Sequence, residues 1–195
     1  MGLELATASD AELLACIGAG DDPALALAAL YDRYASMLLA LALRIVRDRP
    51  EAEDVVHDAF LLVSNRARQY VAERGSVGAW IVTLVRNLSI DRTRRRDRRA
   101  TIARDVLAHD PDLDSGFLSD DPENRAAASI ERQRVLRALA TLSAAQRSTL
   151  EVAFFEGLTY AEIAEREGVP IGTIKSRAAR ALAALRQAMN EETSR

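Results

Sequence analysis

Residues 158–182 read LTYAEIAEREGVPIGTIKSRAARAL, and the spacing within this stretch decides the fold. Thr159 followed three residues later by Glu162 is a capping box, so a helix begins at Tyr160. Counting Tyr160 as the first position, Ala164 is fifth, Gly168 ninth and Ile174 fifteenth. Two helices that cross steeply need a small side chain where they touch, a residue tolerant of positive φ at the turn, and a branched apolar residue to lock the second helix down. Ala164, Gly168 and Ile174 meet those demands in order, and Pro170 suits the first turn of the second helix, where its missing N–H costs nothing. The outward residues of that helix are Thr173, Lys175 (the only lysine in the chain), Ser176, Arg177 and Arg180. Such side chains reach base edges and phosphates in a major groove, which admits one helix. The alternative is a helical hairpin with an ordinary solvated face. Three coincident packing constraints beside a basic face favour DNA binding.

Working outward, Leu136, Leu139 and Leu142 mark a further helix, and Ser143 with Gln146 caps the next, which carries Leu150, Val152, Phe154 and Phe155. A C-terminal domain over 129–195 follows. Before it, over 100–128, periodicity fades and the chain reads DPDLDSGFLSDDPEN, a flexible acidic linker. Fully extended it reaches roughly 95 Å, and as a coil it averages about 30 Å. The plain reading of its acids is a solvated tether. Over 24–47 the residues Leu27, Leu30, Tyr31, Tyr34, Leu38, Leu41 and Ile45 recur at three- and four-residue steps and give one buried helical face. Pro50 opens a second helix running to about Ser64, with Val55, Val56, Ala59, Phe60 and Val63 on one side. A polar stretch over 65–76 leads into a helix with Trp80, Ile81, Leu84, Val85, Leu88 and Ile90, which passes directly into an arginine run. Ser9 with Glu12 caps a short first helix. No segment reads as a strand. The expected fold is all-α: two small helical domains, 1–99 and 129–195, joined by the acidic linker, the second containing a helix-turn-helix.

Of the 195 residues, 49% are hydrophobic and 28% charged, the balance of a globular chain rather than a disordered one. No uncharged apolar run nears the roughly 18 residues that span a bilayer, Met37 to Leu43 stopping at Arg44, and the start MGLELATASD shows no export signal. One cysteine, Cys16, and two histidines, His57 and His109, make neither a disulfide scaffold nor a zinc site, so no metal or cofactor is expected. A lone thiol on an apolar segment is usually inert, which argues against a redox role for Cys16. The net charge of −3 conceals a pattern. Residues 1–24 carry five acids and no base, 25–104 are +6, 105–128 are −6 and 129–195 are +2. Binding to nucleic acid depends on local potential within a Debye length of roughly 8–10 Å, so the basic blocks matter more than the total.

Arg86 to Arg104 holds eight arginines against Asp91 and Asp97. A solvated helix end accounts for two or three arginines through the macrodipole, but not for eight. Such density is an electrostatic footprint for a phosphate backbone, and neutralising six phosphates gives a log–log salt slope of roughly −4 to −5. Trp80 reads as core; Asn87 carries an amide able to pair with a base edge; Tyr70 precedes the helix and can stack on an unpaired base or lie on the surface. Glu53 and Asp54 begin a helix with acids, where the bland explanation is macrodipole stabilisation. No nucleophile, metal cluster or glycine-rich phosphate loop accompanies them, so an enzyme has little support.

Four segments together resemble a known family: RPEAEDVVHDAF, GSVGAWIVTLVRNLSIDRTRRR, the L-x-x-L-S-x-x-Q-R pattern from Leu139 to Arg147, and the 158–182 stretch. In that order and spacing they are similar to bacterial sigma factors of the extracytoplasmic-function (ECF) type, over about 24–99 and 126–189. The resemblance implies a subunit that binds core RNA polymerase and directs it to promoter DNA, held inactive by an anti-sigma factor, acting in the cytoplasm without membrane insertion, small-molecule substrate or catalysis of its own. It places −10 element recognition and melting on the 65–76 loop and on Tyr70, Arg86, Asn87, Asp91, Arg94 and Arg95. It places −35 recognition on Thr173, Lys175, Ser176, Arg177 and Arg180, and polymerase binding on Glu53, Asp54, His57, Asp58 and Phe60. Two basic surfaces on a long tether suit sites about two helical turns apart, roughly 70 Å. His57 and Ala179 depart from the residues commoner at those positions, which bears on promoter sequence. Two alternatives remain open at this level. A sigma mimic that titrates an anti-sigma factor has no use for Arg94, Arg95, Lys175 and Arg180, and a stand-alone helix-turn-helix activator has none for the 52–60 segment.

Overall fold

A computed structural model describes residues 7–103 and 135–193, with side chains over 7–98 and 135–189. The chain divides into two units, Met1–Leu118 and Ser119–Arg195. Every regular element among the described residues is helical. The division falls inside the expected linker, whose structure lies outside the described residues apart from 100–103, where the preceding helix continues to Ala103 rather than ending at 99.

The first unit contains α1 (Asp10–Ala19), α2 (Pro23–Val46), α3 (Arg49–Arg66) and α4 (Val77–Ala103), with two short 3-10 turns, Ala67–Gln69 and Ala72–Arg74, in the 65–76 stretch. The starts of α1 and α3 follow from local chemistry. Ser9 and Glu12 form the capping box on α1. The Asp48 side chain accepts from the Glu51 N–H at the start of α3, where Pro50 sits in the first turn. The interior comes from one face of each helix: Leu13 of α1, Leu30 and Leu38 of α2, Val55 and Val63 of α3, and Ile81 and Val85 of α4 are buried together. Burying a leucine of this kind contributes about 1.5–3 kcal/mol relative to leaving it exposed.

The α2 helix is long and apolar enough to cross a membrane by length and composition, with a mean hydropathy of 1.3 over eighteen of its residues. Uncharged runs do not reveal this property, because a window of that hydropathy tolerates two charged residues. In this structure 17% of that stretch is buried, and one face of α2 packs into the core of the first unit. Leu30, Leu38, Ala42 and Val46 are fully buried against the other three helices, and Arg33, near its middle, binds Asp10 at 2.8 Å.

The second unit has a helical segment over 135–140, then α5 (Ala144–Glu151), a π turn (Val152–Glu156), α6 (Tyr160–Glu167) and α7 (Ile171–Thr193). Both expected capping boxes form, Ser143 with Gln146 and Thr159 with Glu162. The helix expected to carry Leu150 through Phe155 as one piece widens into the π turn at Val152 and ends at Gly157. Pro170 lies one residue before α7 rather than within its first turn, and its carbonyl accepts from the Thr173 N–H at 2.8 Å.

Asp10 ties α1 to α2 by accepting from both Arg33 and the Tyr34 hydroxyl. Burial first, then the hydrogen bond and charge of Asp10, push the Tyr34 phenol up to about 12. Because the folded pKa lies above the ordinary value near 10, this stabilisation is complete below pH 10 and is lost as pH rises through 12. Absorbance titration of the four tyrosines should show one titrating near 12, absent in Tyr34→Phe. The same ring presses on α4: a Cβ at Gly78 would lie 2.7 Å from the Tyr34 hydroxyl oxygen. Gly78→Ala should therefore destabilise the first unit by about 1–3 kcal/mol in chemical denaturation.

Candidate nucleic-acid interface

The α6–α7 pair has the geometry of a helix-turn-helix. Gly168 adopts φ 66° at the turn, and the Val169 N–H reaches back to the Ala164 carbonyl at 3.0 Å, closing the C-terminal cap. Ile163, Ala164 and Ile174 are buried at the crossing. Ion pairs brace this scaffold: Arg166 binds Glu156 and Arg177 binds Glu167, each at 2.5 Å. The hydrogen bond that Arg166 donates to Glu156 raises the Arg166 pKa above the ordinary arginine value.

These contacts sort the five residues expected to face DNA. Ala178 and Ala181 line the buried side of α7 with Ile174. Lys175 and Arg180 are exposed, and among the described residues no ion pair holds either. Thr173, Ser176 and Arg177 are half-buried; the Ser176 hydroxyl donates to the Thr173 carbonyl, and Arg177 is engaged by Glu167.

In the first unit the arginine run divides by helical phase. Ile81, Val85 and Ser89 occupy the buried stripe of α4, and Arg92 and Arg96 continue it. Arg92 donates to Asp54 of α3 at 2.8 Å and approaches Asp58 at 3.7 Å. Arg96 donates to the Val46 carbonyl at the end of α2 and lies 3.7 Å from Glu51. Neither arginine was singled out from the sequence, although extending the apolar stripe by steps of three and four reaches both. Arg94, Arg95, Asn87 and Asp91 lie exposed. Arg86 is half-buried and donates to Asn87 at 3.1 Å; burial, then the charge of Arg94, holds its pKa below the ordinary arginine value.

Tyr70 is neither a free stacking platform nor a plain surface residue. Its ring meets Trp80 at 5.7 Å between centroids, and its hydroxyl donates to the Gly75 carbonyl at 2.7 Å. Together they form one wall of a cleft of about 230 Å³ that Gln69, Arg74, Ser76 and Thr83 also line. Trp80, expected in the core, is half-buried and packs on it while edging this cleft. Arg68 fastens the start of the loop by donating to the Gly18 carbonyl of α1 at 2.5 Å.

The acidic segment of α3 also divides. Glu53, Asp54, His57 and Asp58 are exposed on one side, Glu53 pairing with Arg49 at 2.9 Å. Phe60, which periodicity places on the apolar side and the resemblance places with the polymerase surface, is 4% exposed and its ring packs on Tyr31 at 4.9 Å, so it belongs to the core beneath that surface. The physical reason is phase, since Val56, Phe60 and Val63 follow the apolar stripe while Asp54 and Asp58 follow the opposite one.

Family models describing sigma-70 region 2 and sigma-70 region 4 match residues 30–99 and 132–185. The ECF RNA polymerase sigma factor SigK of Mycobacterium tuberculosis strain H37Rv is 34% identical over 182 residues, covering 93% of this chain and 95% of that protein. SigK of Mycobacterium ulcerans is 33% identical over 178 residues, covering 91% and 92%. Among solved structures, Rhodobacter sphaeroides SigE in complex with the anti-sigma ChrR is 31% identical with a TM-score of 0.46, covering 91% of this chain and 96% of that one. RpoE of Bartonella quintana in complex with the anti-sigma factor NepR is 25% identical with a TM-score of 0.39, covering 83% and 93%. The chain belongs to the sigma factors of the ECF type, which are transcription initiation factors.

Proposed function

We propose that this protein is an alternative sigma factor that recruits core RNA polymerase through α3, reads and opens the −10 element with α4 and the 65–76 loop, and reads the −35 element with α7. The domains are taken as 1–99 and 129–195 with the linker over 100–128. The observation that carries the reading is the presence, in one chain, of a helix-turn-helix with exposed Lys175 and Arg180 and a separate unit whose basic helix lies beside an aromatic-edged cleft. A duplex reader has no need of the second feature; a protein that holds an unpaired base does, because a base outside the stack must be sheltered and stacked.

Within this reading the roles are unequal. Lys175 and Arg180 contact the −35 element directly, and Thr173 and Ser176 flank them. Arg177 holds the recognition helix against α6 through Glu167 and reaches DNA only by exchanging that partner. Arg94, Arg95, Asn87, Asp91 and Arg86 form the −10 face of α4, and Tyr70 shapes the cleft. Glu53, Asp54, His57 and Asp58 face the polymerase, with Phe60 supporting them from the core. The protein acts in the cytoplasm as a binding protein without its own catalysis. An anti-sigma factor masks its polymerase-binding surfaces, a reading supported by the two relatives solved with such partners.

Mixing the purified protein with bacterial core polymerase and sequencing the 5′ ends of transcripts from genomic fragments should give discrete start sites sharing two upstream elements. No added start sites and no co-elution with core would overturn the reading. Lys175→Ala with Arg180→Ala should abolish discrimination between intact and scrambled −35 elements while the α6–α7 fold persists by circular dichroism.

A further inference from the structure

The polymerase face of α3 and the promoter face of α4 share a counter-ion. Arg92 sits on the same basic helix as Arg94 and Arg95, yet its guanidinium lies against Asp54 and Asp58, both assigned above to polymerase. The arrangement is half open to solvent: the Arg92 side chain is 33% exposed, Asp54 65% and Asp58 55%. Ion pairs this exposed are weak, so exchanging partners costs little. Arg96, one turn further, differs, because its guanidinium is also anchored on the Val46 backbone carbonyl, which no incoming charge replaces.

We propose that Arg92 is a relay between the two faces, which rests on the polymerase and promoter surfaces assigned above. A basic surface of the polymerase that engages Asp54 and Asp58 releases Arg92 to a DNA phosphate. A phosphate that captures Arg92 leaves both carboxylates open to the polymerase. Because linkage is reciprocal, each partner strengthens the other's binding by the same factor, about three- to fivefold for an exchange of this size. In the free protein the relay is closed, so Arg92 is withheld from DNA until polymerase is present.

The test uses the full-length protein. Binding to a mixed-sequence duplex is measured across a salt series for wild type, Asp54→Asn/Asp58→Asn, Arg92→Gln and the triple variant. The relay predicts that the Asn pair steepens the log–log salt slope by about 0.9, one added phosphate contact, and that Arg92→Gln in the same background removes the increment. Affinity for core polymerase without DNA is measured in parallel. Arg92→Gln should tighten it about threefold, because the two carboxylates lose their intramolecular cation. An unchanged slope in the Asn pair, an increment that survives in the triple variant, or an Arg92→Gln protein that binds core no better would each overturn the relay. Weaker core binding by Arg92→Gln together with a lower melting temperature would reduce Arg92 to a staple between helices. If the Asn pair leaves core affinity unchanged, it is the polymerase face itself that fails, whatever the slopes show.

Discussion

Like charges on one helix repel, and α4 carries seven arginines between Arg86 and Arg99. That repulsion is the constraint around which the first unit is arranged. The N-terminal half of α4 is secured by apolar burial through Val77, Ile81 and Val85. Beyond Ile90 the helix has no large apolar side chain until after the run, and Arg92 and Arg96 take over, using charge where the earlier turns use hydrocarbon. The partners they need come from α3 and from the end of α2, so the acidic face of α3 is part of what makes a basic α4 tolerable. Remove the acids and the helix loses the counter-charges that offset its own self-repulsion.

The second unit solves a different problem with the same means. Its buried cluster is small, with Val152, Ile163, Ala164 and Ile174 at its centre. A core of that size needs help to fix the crossing of two helices. The turn at Gly168 supplies the geometry, and the pairs Arg166–Glu156 and Arg177–Glu167 reinforce it from outside. These exposed pairs contribute modestly to stability. Their larger effect is on the surface, because an arginine engaged with a glutamate presents less positive charge to DNA than one left open. Arg177 is thereby drawn away from the basic face of α7, on which Lys175 and Arg180 stay exposed.

Much of this was legible in the residues. The three capping boxes, the 3.6-residue stripes of α2 and α3, and the Ala164–Gly168–Ile174 spacing are local signals, and each depends on interactions within one helix or across one turn. The candidate faces were legible for the same reason, as charge and apolar periodicity place Asp54 and Asp58 on one side of α3 and Lys175 on one side of α7. What escaped was the sorting within each face. The resemblance sets Phe60 with the polymerase surface while its step from Val56 puts it in the core, and nothing in the dense arginine run separates Arg92 from its neighbours although its step from Ser89 turns it inward.

The sequence by itself determined where helices start, which residues lie on a common stripe, and that a turn would fall at Gly168, because these depend on neighbours a few residues apart. Only the tertiary structure decided which charged groups meet. Arg92 and Asp54 are 38 residues apart, Arg96 and the Val46 carbonyl 50, and Arg68 and the Gly18 carbonyl 50. A guanidinium on an exposed helix and one clamped by a carboxylate from another helix are identical in the sequence. They become different only when packing brings a partner within about 3 Å, at which distance a charge-assisted hydrogen bond forms.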